Sequence, residues 1–274
     1  MKINMNGELI SDEWLWLYQY FEIPCCYPKQ VREAIEALAE GEELIIEINC
    51  PGGDVWAGFE IFGMLQSCKA HTEAHVIAMA ASAATTVISA CETVLASPVA
   101  QIMIHQPATR AGLVNNDGAR ELLNFLDSVK ASIINGYVIK AAGKTPRARF
   151  EQLVADSTWM PVQDAIDLGL VDGLLDADEE SAQRIAAAGG VLVSNMASLS
   201  APPMDLLRRY EAAVRAGTAQ EVPGHPVAPA APETAQSGPT ACENAVPGGA
   251  ADINVGDKWK LQAAIDLERA RGVL

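Results

Sequence analysis

The chain has 274 residues, half of them hydrophobic, and a formal net charge of −16. That length supports one large domain with an appendage, or two small domains, around a sizeable core. Such acidity argues against nucleic acid or an anionic membrane surface as a partner, because both would repel the chain.

The six cysteines are Cys25, Cys26, Cys50, Cys68, Cys91 and Cys242; they form no CxxC pair and no Cys/His cluster with zinc spacing. Most lie in apolar stretches and read as small core hydrophobes in a reducing compartment. No metal site and no cofactor are expected. The opening "MKINMNGELISDEW" lacks the apolar run of a signal peptide, and no stretch reaches the ~18 apolar residues of a membrane-spanning helix. Together these features predict a soluble, cytoplasmic protein.

The elements follow in chain order. "PKQVREAIEALAEG" puts Val31, Ala34, Ile35 and Leu38 on one helical face, with Gly41 as the expected C-cap. "ELIIEIN" (43–49) is a short β-rich run. "DVWAGFEIFGMLQSC" (54–68) reads as a helix with Val55, Phe59, Phe62 and Leu65 inward. "AHVIAMA" is a strand, and a helix of small residues begins near Ser82. "VAQIMIH" (99–105) is another strand. A long helix over about 117–142 carries a stripe of Leu122, Phe125, Leu126, Val129, Ile133 and Tyr137, closed by Gly143. "TPRARFEQLVAD" predicts a helix with Thr145 as N-cap and Pro146 at the first helical position. "VQDAIDLGLVDGLL" predicts a short helix, a stop at Gly169 and a final strand. This alternation argues for an α/β fold with helices on a largely parallel sheet.

Past residue 178 the character changes. Residues 179–217 hold helix-like pieces such as "PPMDLLRRYEAAVRAG". Residues 218–252 form a Pro/Ala/Gly-rich run without a burial pattern, expected to be a flexible linker. Residues 253–274 form a short amphipathic helix or a tail.

Three stretches could carry chemistry. "INCPGGDVWAG" joins a strand to a helix, and Gly52 and Gly53 admit backbone angles and close approaches closed to other residues. It is either a loop that aims a backbone N–H at an oxyanion or an ordinary strand–helix turn. It matches neither GxxxxGK[ST] nor GxGxxG. Ser82 stands among alanines, either as a packing residue or as a nucleophile, and a nucleophilic serine needs a base within reach. No GxSxG elbow surrounds it. Of the four histidines (His71, His75, His105, His225), only His105 ends an apolar strand just before a proline turn, where α/β sites often form. It is either a base at the sheet edge or a satisfied buried histidine. The later acids include Asp156, at a helix end, and Asp164 and Asp167 on an amphipathic helix.

The order "INCPGGDVWAG", "AMAASAATTV", "IMIHQP", "DSTWMPVQDAIDLGLVDGLL" resembles the Clp protease proteolytic subunit family, and within it the phage head maturation proteases. The resemblance covers residues 1–178 and rests on four separated motifs in one order. It implies a serine endopeptidase built as a ClpP/crotonase-like coil of ββα units, followed by a partly disordered C-terminal extension. It further implies Ser82 as nucleophile, His105 as general base, and the backbone N–H groups of Gly53 and Ala83 as oxyanion hole. Asp156 is taken as the triad acid, although ungapped counting from "GLVD" puts Ser157 at that position, which leaves a Ser–His dyad as the alternative. The family's habits also imply a homo-oligomeric ring, protein or peptide substrates, and, for the phage branch, capsid or scaffold partners in the host cytoplasm or procapsid. An N-terminal segment that engages an ATPase ring is not expected here. The alternatives are a subunit working with an ATPase unfoldase, or a ring-forming structural subunit with a decayed site.

Overall fold

The computed structural model describes residues 1–109, 114–175, 203–220 and 222–225. Two compact units emerge. Among the described residues, the first holds 1–109, 114–175 and 203–210, and the second holds 211–220 and 222–225.

The first unit is a mixed α/β structure around a seven-stranded sheet. Its strands are β1 (Lys2–Asn6), β4 (Leu44–Cys50), β5 (Thr72–Ala81), β6 (Thr93–Ala96), β7 (Gln101–Ile104), β8 (Thr158–Pro161) and β9 (Gly173–Leu174). The order β1-β4-β5-β6-β9 is parallel throughout. The ten-residue β5 is long enough to serve two partners: Glu73–Val76 pair with β6, and Met79–Ala81 pair with β7. Only β8 runs antiparallel, against β7. Two short strands, β2 (Glu8–Leu9) and β3 (Cys25–Cys26), form a separate parallel pair.

Alternation explains which face is covered. On β4, Leu44, Ile46, Ile48 and Cys50 are fully buried, while Glu47 between them ion-pairs with Lys2 on β1 at 2.5 Å. On β5, Ala74 and Val76 are buried, and His75 hydrogen-bonds Glu73 on the polar face. The period of two sends every second side chain into the core. Helices cover that buried face: α2 (Pro28–Glu36), α3 (Val55–Ser67), α4 (Ala83–Ile88), and the C-terminal half of α5 (Asn116–Ala141). Two further helices, α6 (Arg147–Ala155) and α7 (Val162–Leu168), flank β8. Another, α1 (Leu15–Tyr20), lies between β2 and β3 in sequence.

Several boundaries differ from the sequence reading. Helix α2 ends at Glu36 with Ala37 as C-cap, and Gly41 takes its positive φ of 79° in the turn beyond. Helix α6 starts at Arg147, so Pro146 is its N-cap, because the Thr145 hydroxyl is occupied donating to the Leu168 carbonyl at 2.8 Å. In α3 the fully buried residues are Ala57, Gly58, Ile61 and Leu65, whereas Val55, Phe59 and Phe62 pack only partly against the core. The α5 stripe is buried from Val129 onward, and Phe125 remains 45 % exposed. Strands β6 and β8 lay outside the predicted elements; both are four residues long, and β8 ends in a proline.

Beyond the sheet, α8 (Pro203–Arg215) brings Tyr210 edge-on to Trp16 and Tyr20, at ring separations of 5.2 and 5.0 Å. The Arg209 guanidinium lies 5.0 Å over the Phe21 ring. In the second unit, Thr218 donates to the Ala213 carbonyl, and Val222 bridges to His225. The boundary expected at 178, most of the 218–252 segment and all of 253–274 fall outside the described residues, as does Cys242. The other five cysteines are free thiols. No described helix is long and apolar enough to cross a membrane.

The centre of the sheet should be the most sensitive part of the core. Truncating Ile46 on β4, fully buried between β1 and β5, is expected to destabilise the fold by about 2–5 kcal/mol. A urea titration of Ile46→Ala, monitored by circular dichroism, checks this through a lower midpoint at unchanged slope.

Candidate active site

The site assembles where three strands release the chain. Strand β4 ends at Cys50 and opens into the Gly52–Gly53 loop. Strand β5 ends at Ala81 and turns sharply into α4 at Ser82. Strand β7 ends at Ile104, and His105 follows.

Ser82 has φ 57° and ψ −125°, a conformation strained for any residue with a side chain. Such strain costs of order 1–3 kcal/mol and persists only where the surroundings over-determine it. Here they do. The Ser82 N–H donates to the Met103 carbonyl at 2.8 Å, which ties the turn to β7. The Ser82 carbonyl accepts from both the backbone N–H and the hydroxyl of Thr85. The same Thr85 hydroxyl meets the Tyr137 hydroxyl at 2.9 Å, which anchors the turn to α5. Burial pushes the Tyr137 phenol up to about 12, so it stays neutral in this contact.

The small residues around Ser82 now have a reason. Gly58 of α3 faces Ala83: a Cβ added at Gly58 would lie 3.4 Å from the Ala83 side chain. Helices α3 and α4 therefore touch almost backbone to backbone. Gly52 sits even closer to the turn, since a Cβ there would fall 2.6 Å from the Ser82 Cβ and 3.0 Å from the Ala83 nitrogen. Gly53, at φ 147°, has no room either, with the Leu9 carbonyl oxygen 2.0 Å from its missing Cβ. Leu9 grips this loop from both sides: its N–H donates to the Gly52 carbonyl at 2.8 Å, and its carbonyl accepts from Asp54 at 2.7 Å. The Asp54 carboxylate is committed to capping α3, accepting from Trp56 and Ala57 at 2.8 and 2.9 Å.

His105 Nε2 lies 2.6 Å from Ser82 Oγ. Burial alone pushes the imidazole below its ordinary 6.5, because the cation loses solvation and no carboxylate compensates. Asp156 is not brought to His105. It is the C-cap of α6, exposed, and among the described residues its carboxylate makes no hydrogen bond or ion pair with the imidazole. The β7–β8 register explains why. Ile104 pairs with Thr158, so one step past the ladder's end His105 stands opposite Ser157, a half-buried residue at φ 52°. Asp164 and Asp167 lie on α7, with Asp167 hydrogen-bonded to Gln163. His71 and His75 are taken up by Glu92 and Glu73 on the polar sheet face.

Sequence reasoning missed two contributors, the Thr85–Tyr137 pair and the Leu9 clamp, and it missed a cavity of about 330 Å³ whose lining includes neither Ser82 nor His105. The cavity opens between α3, α4 and α5 and is lined mainly by Trp56, Phe59, Phe62, Phe125, Val129 and Ile139. Its sequence signal is three aromatic residues, Trp56, Phe59 and Phe62, on one helix. Trp56 and Phe125 are large apolar residues left 54 % and 45 % exposed, which a closed core would not allow. Among the described residues no cluster of His, Cys, Asp and Glu suits a metal ion.

Comparison with known sequences gives a consistent picture. A family model described as Clp protease matches residues 30–178. The ATP-dependent Clp protease proteolytic subunit 1 of Chlamydia muridarum is 33% identical over 150 residues, which is 52% of this chain and 74% of that protein. The protein of the same name from Chlamydia pneumoniae is 33% identical over 188 residues, 64% of this chain and 95% of its own length. That of Protochlamydia amoebophila is 30% identical over 152 residues, 53% and 71% respectively.

The environment of His105 fixes the sign of its pH response. Burial favours the neutral imidazole, so the ring should remain an available base to lower pH than a free histidine. An NMR titration of the His105 ring, with His105→Gln for assignment, is expected to show a midpoint below 6.5.

Proposed function

The chain belongs to the Clp protease family, and we propose that it is a serine endopeptidase with Ser82 as nucleophile and His105 as general base. Members of the family are serine peptidases that act on protein substrates as oligomeric rings. The observation that carries the reading is the 2.6 Å contact between His105 Nε2 and Ser82 Oγ, on a turn strained to φ 57°. A serine that served packing alone would have no need of either feature.

The reaction is acyl transfer. His105 Nε2 takes the hydroxyl proton as Ser82 Oγ attacks a peptide carbonyl carbon. The N–H groups of Gly53 and Ala83 stabilise the oxyanion, and loss of one such donor typically costs roughly 10²–10³ in rate. The C–N bond then breaks as His105 returns the proton to the leaving amine. Water, deprotonated by the same imidazole, releases the acyl group and restores Ser82.

Ser157 opposite His105, with Asp156 exposed, supports a dyad in which packing rather than a carboxylate orients the imidazole. The first half of α5 supports assembly: Asn116–Ser128 contains no buried residue, and Leu123 is 62 % exposed. A second copy packing there in a ring would cover it.

In finer terms we assign the enzyme to phage or prophage head maturation, cutting capsid or scaffold proteins without an ATPase. The motif order and the Pro/Ala/Gly-rich sequence at 218–252 support this assignment. A second reading, a subunit that works with an ATPase unfoldase, is favoured by the names of the relatives, which describe ATP-dependent proteases.

Labelling with a fluorophosphonate and assay on an unfolded protein substrate test these statements together. Wild type should label at Ser82 and hydrolyse the substrate without ATP. Ser82→Ala and His105→Ala should lose at least about 10³-fold in rate. Asp156→Ala should stay within about threefold of wild type, whereas Ser157→Asp should raise the rate by supplying an orienting carboxylate. Unlabelled wild type would sink the peptidase reading, and a large loss in Asp156→Ala would sink the dyad. Hydrolysis that appears only with an unfoldase and ATP would favour the second reading.

A further inference from the structure

The Gly52–Gly53 loop does not hold itself. Both of its long-range backbone hydrogen bonds run to Leu9, the second residue of the two-residue strand β2. A strand that short has little pairing of its own. It has β3 on one side, with Glu8 opposite Cys25 and Leu9 opposite Cys26, and the loop itself on the other. Backbone hydrogen bonds fix its ends, from Gly7 to the Asn49 carbonyl at 3.1 Å and from Ile10 to the Cys26 carbonyl at 2.8 Å, and its other residue is Glu8.

Glu8 is half-buried, and its carboxylate accepts a hydrogen bond of 2.5 Å from the Tyr18 hydroxyl. Tyr18 is 1 % exposed on α1, so the donor is rigid. The Glu8 side chain also lies directly against the loop: its Cγ is 3.0 Å from where a Cβ on Gly53 would stand. Among the groups facing Glu8 are the Tyr18 phenol and the Cys25 thiol, both held neutral by burial, with the Cys25 thiol pushed up to about 11. The core has no use for a carboxylate here. A hydrophobic residue would cover Gly53 equally well, and burial already pushes the Glu8 carboxyl upward.

We propose that the Tyr18–Glu8 hydrogen bond is a positioning device for the oxyanion loop, fixing β2 so that Leu9 holds the Gly53 N–H in place. Glu8 and Tyr18 touch no reacting atom; they act through the Leu9 backbone. The inference rests on the peptidase reading for its catalytic consequence, and on the loop geometry alone for its structural half. A displacement of even ~1 Å at a catalytic group costs on the order of 10² in rate, so a loosened loop should depress turnover without altering substrate binding.

The test uses the full chain with Tyr18→Phe, Glu8→Ala and Glu8→Gln, the last of which retains an oxygen that accepts from Tyr18. Hydrogen exchange by mass spectrometry on the peptide spanning residues 50–57 reads the loop, and kcat and KM on a peptide substrate read the chemistry. Tyr18→Phe and Glu8→Ala should speed exchange in that peptide, but not in β4 or β5, by about tenfold. They should lower kcat by at least about tenfold with KM within about twofold. Glu8→Gln should remain within about threefold of wild type in both readouts. Unchanged exchange in the loop peptide would overturn the inference, as would faster exchange spread over the whole first unit. Loosening without loss of kcat, or a Glu8→Gln variant as impaired as Glu8→Ala, would overturn it too. Absence of Ser82-dependent turnover in wild type would instead remove the peptidase reading and the catalytic half, while exchange still decides whether the pair holds the loop.

Discussion

The site depends on one contact, the approach of the Gly52–Gly53 loop to the Ser82 turn with no side chain between them. Two strand ends meet there backbone to backbone. The missing Cβ of Gly52 leaves the gap that the Ser82 Cβ and the Ala83 nitrogen occupy. Any larger residue at position 52 would push the Ser82 turn and α4 away from the loop. The alanines and the glycine of α3 extend the same constraint one layer outward. The turn can be strained because two elements hold it, β7 through Met103 and α5 through the Tyr137–Thr85 pair, while Leu9 clamps the loop that packs against it.

The electrostatics follow from that packing. A tight site excludes water, and exclusion of water drives the His105 imidazole toward its neutral form. A neutral imidazole 2.6 Å from a hydroxyl is ready to accept its proton. In many serine hydrolases a buried acid raises the basicity of the ring. Here burial acts on His105 without one, which leaves a weaker base that is available over a wider pH range.

Much of this could be read from the sequence, for physical reasons. Gly53, Ser82 and His105 each stand at the end of a β-rich run, where the period-two pattern stops and a turn residue or a helix begins. That placement is local, and local patterning is what a sequence displays. The strands β6 and β8 escaped because four residues carry too little periodicity to stand out. The β7–β8 register was equally invisible, since antiparallel pairing is a long-range fact. Ungapped counting from "GLVD" already puts Ser157 at the acid position, with Asp156 taken as the acid, and the ladder sets Ser157 opposite the imidazole. Thr85, Tyr137 and Leu9 were missed for the same reason: each acts through a partner far along the chain. The aromatic cavity was half legible, in a helix whose aromatic residues outnumber what its buried face can hold.

The antiparallel ladder of β7 and β8 ends one step before His105 and Ser157. Ser82 is locked by strand, helix and loop together, so its codon has almost no freedom. Position 157 lies where pairing has already stopped, and its φ of 52° favours residues that tolerate the left-handed region, such as Asn and Asp. The architecture thus separates what holds the Ser82 turn from what stands opposite the His105 ring. The group that faces the imidazole can therefore change at one position on β8's approach without disturbing the contacts that hold the Ser82 turn.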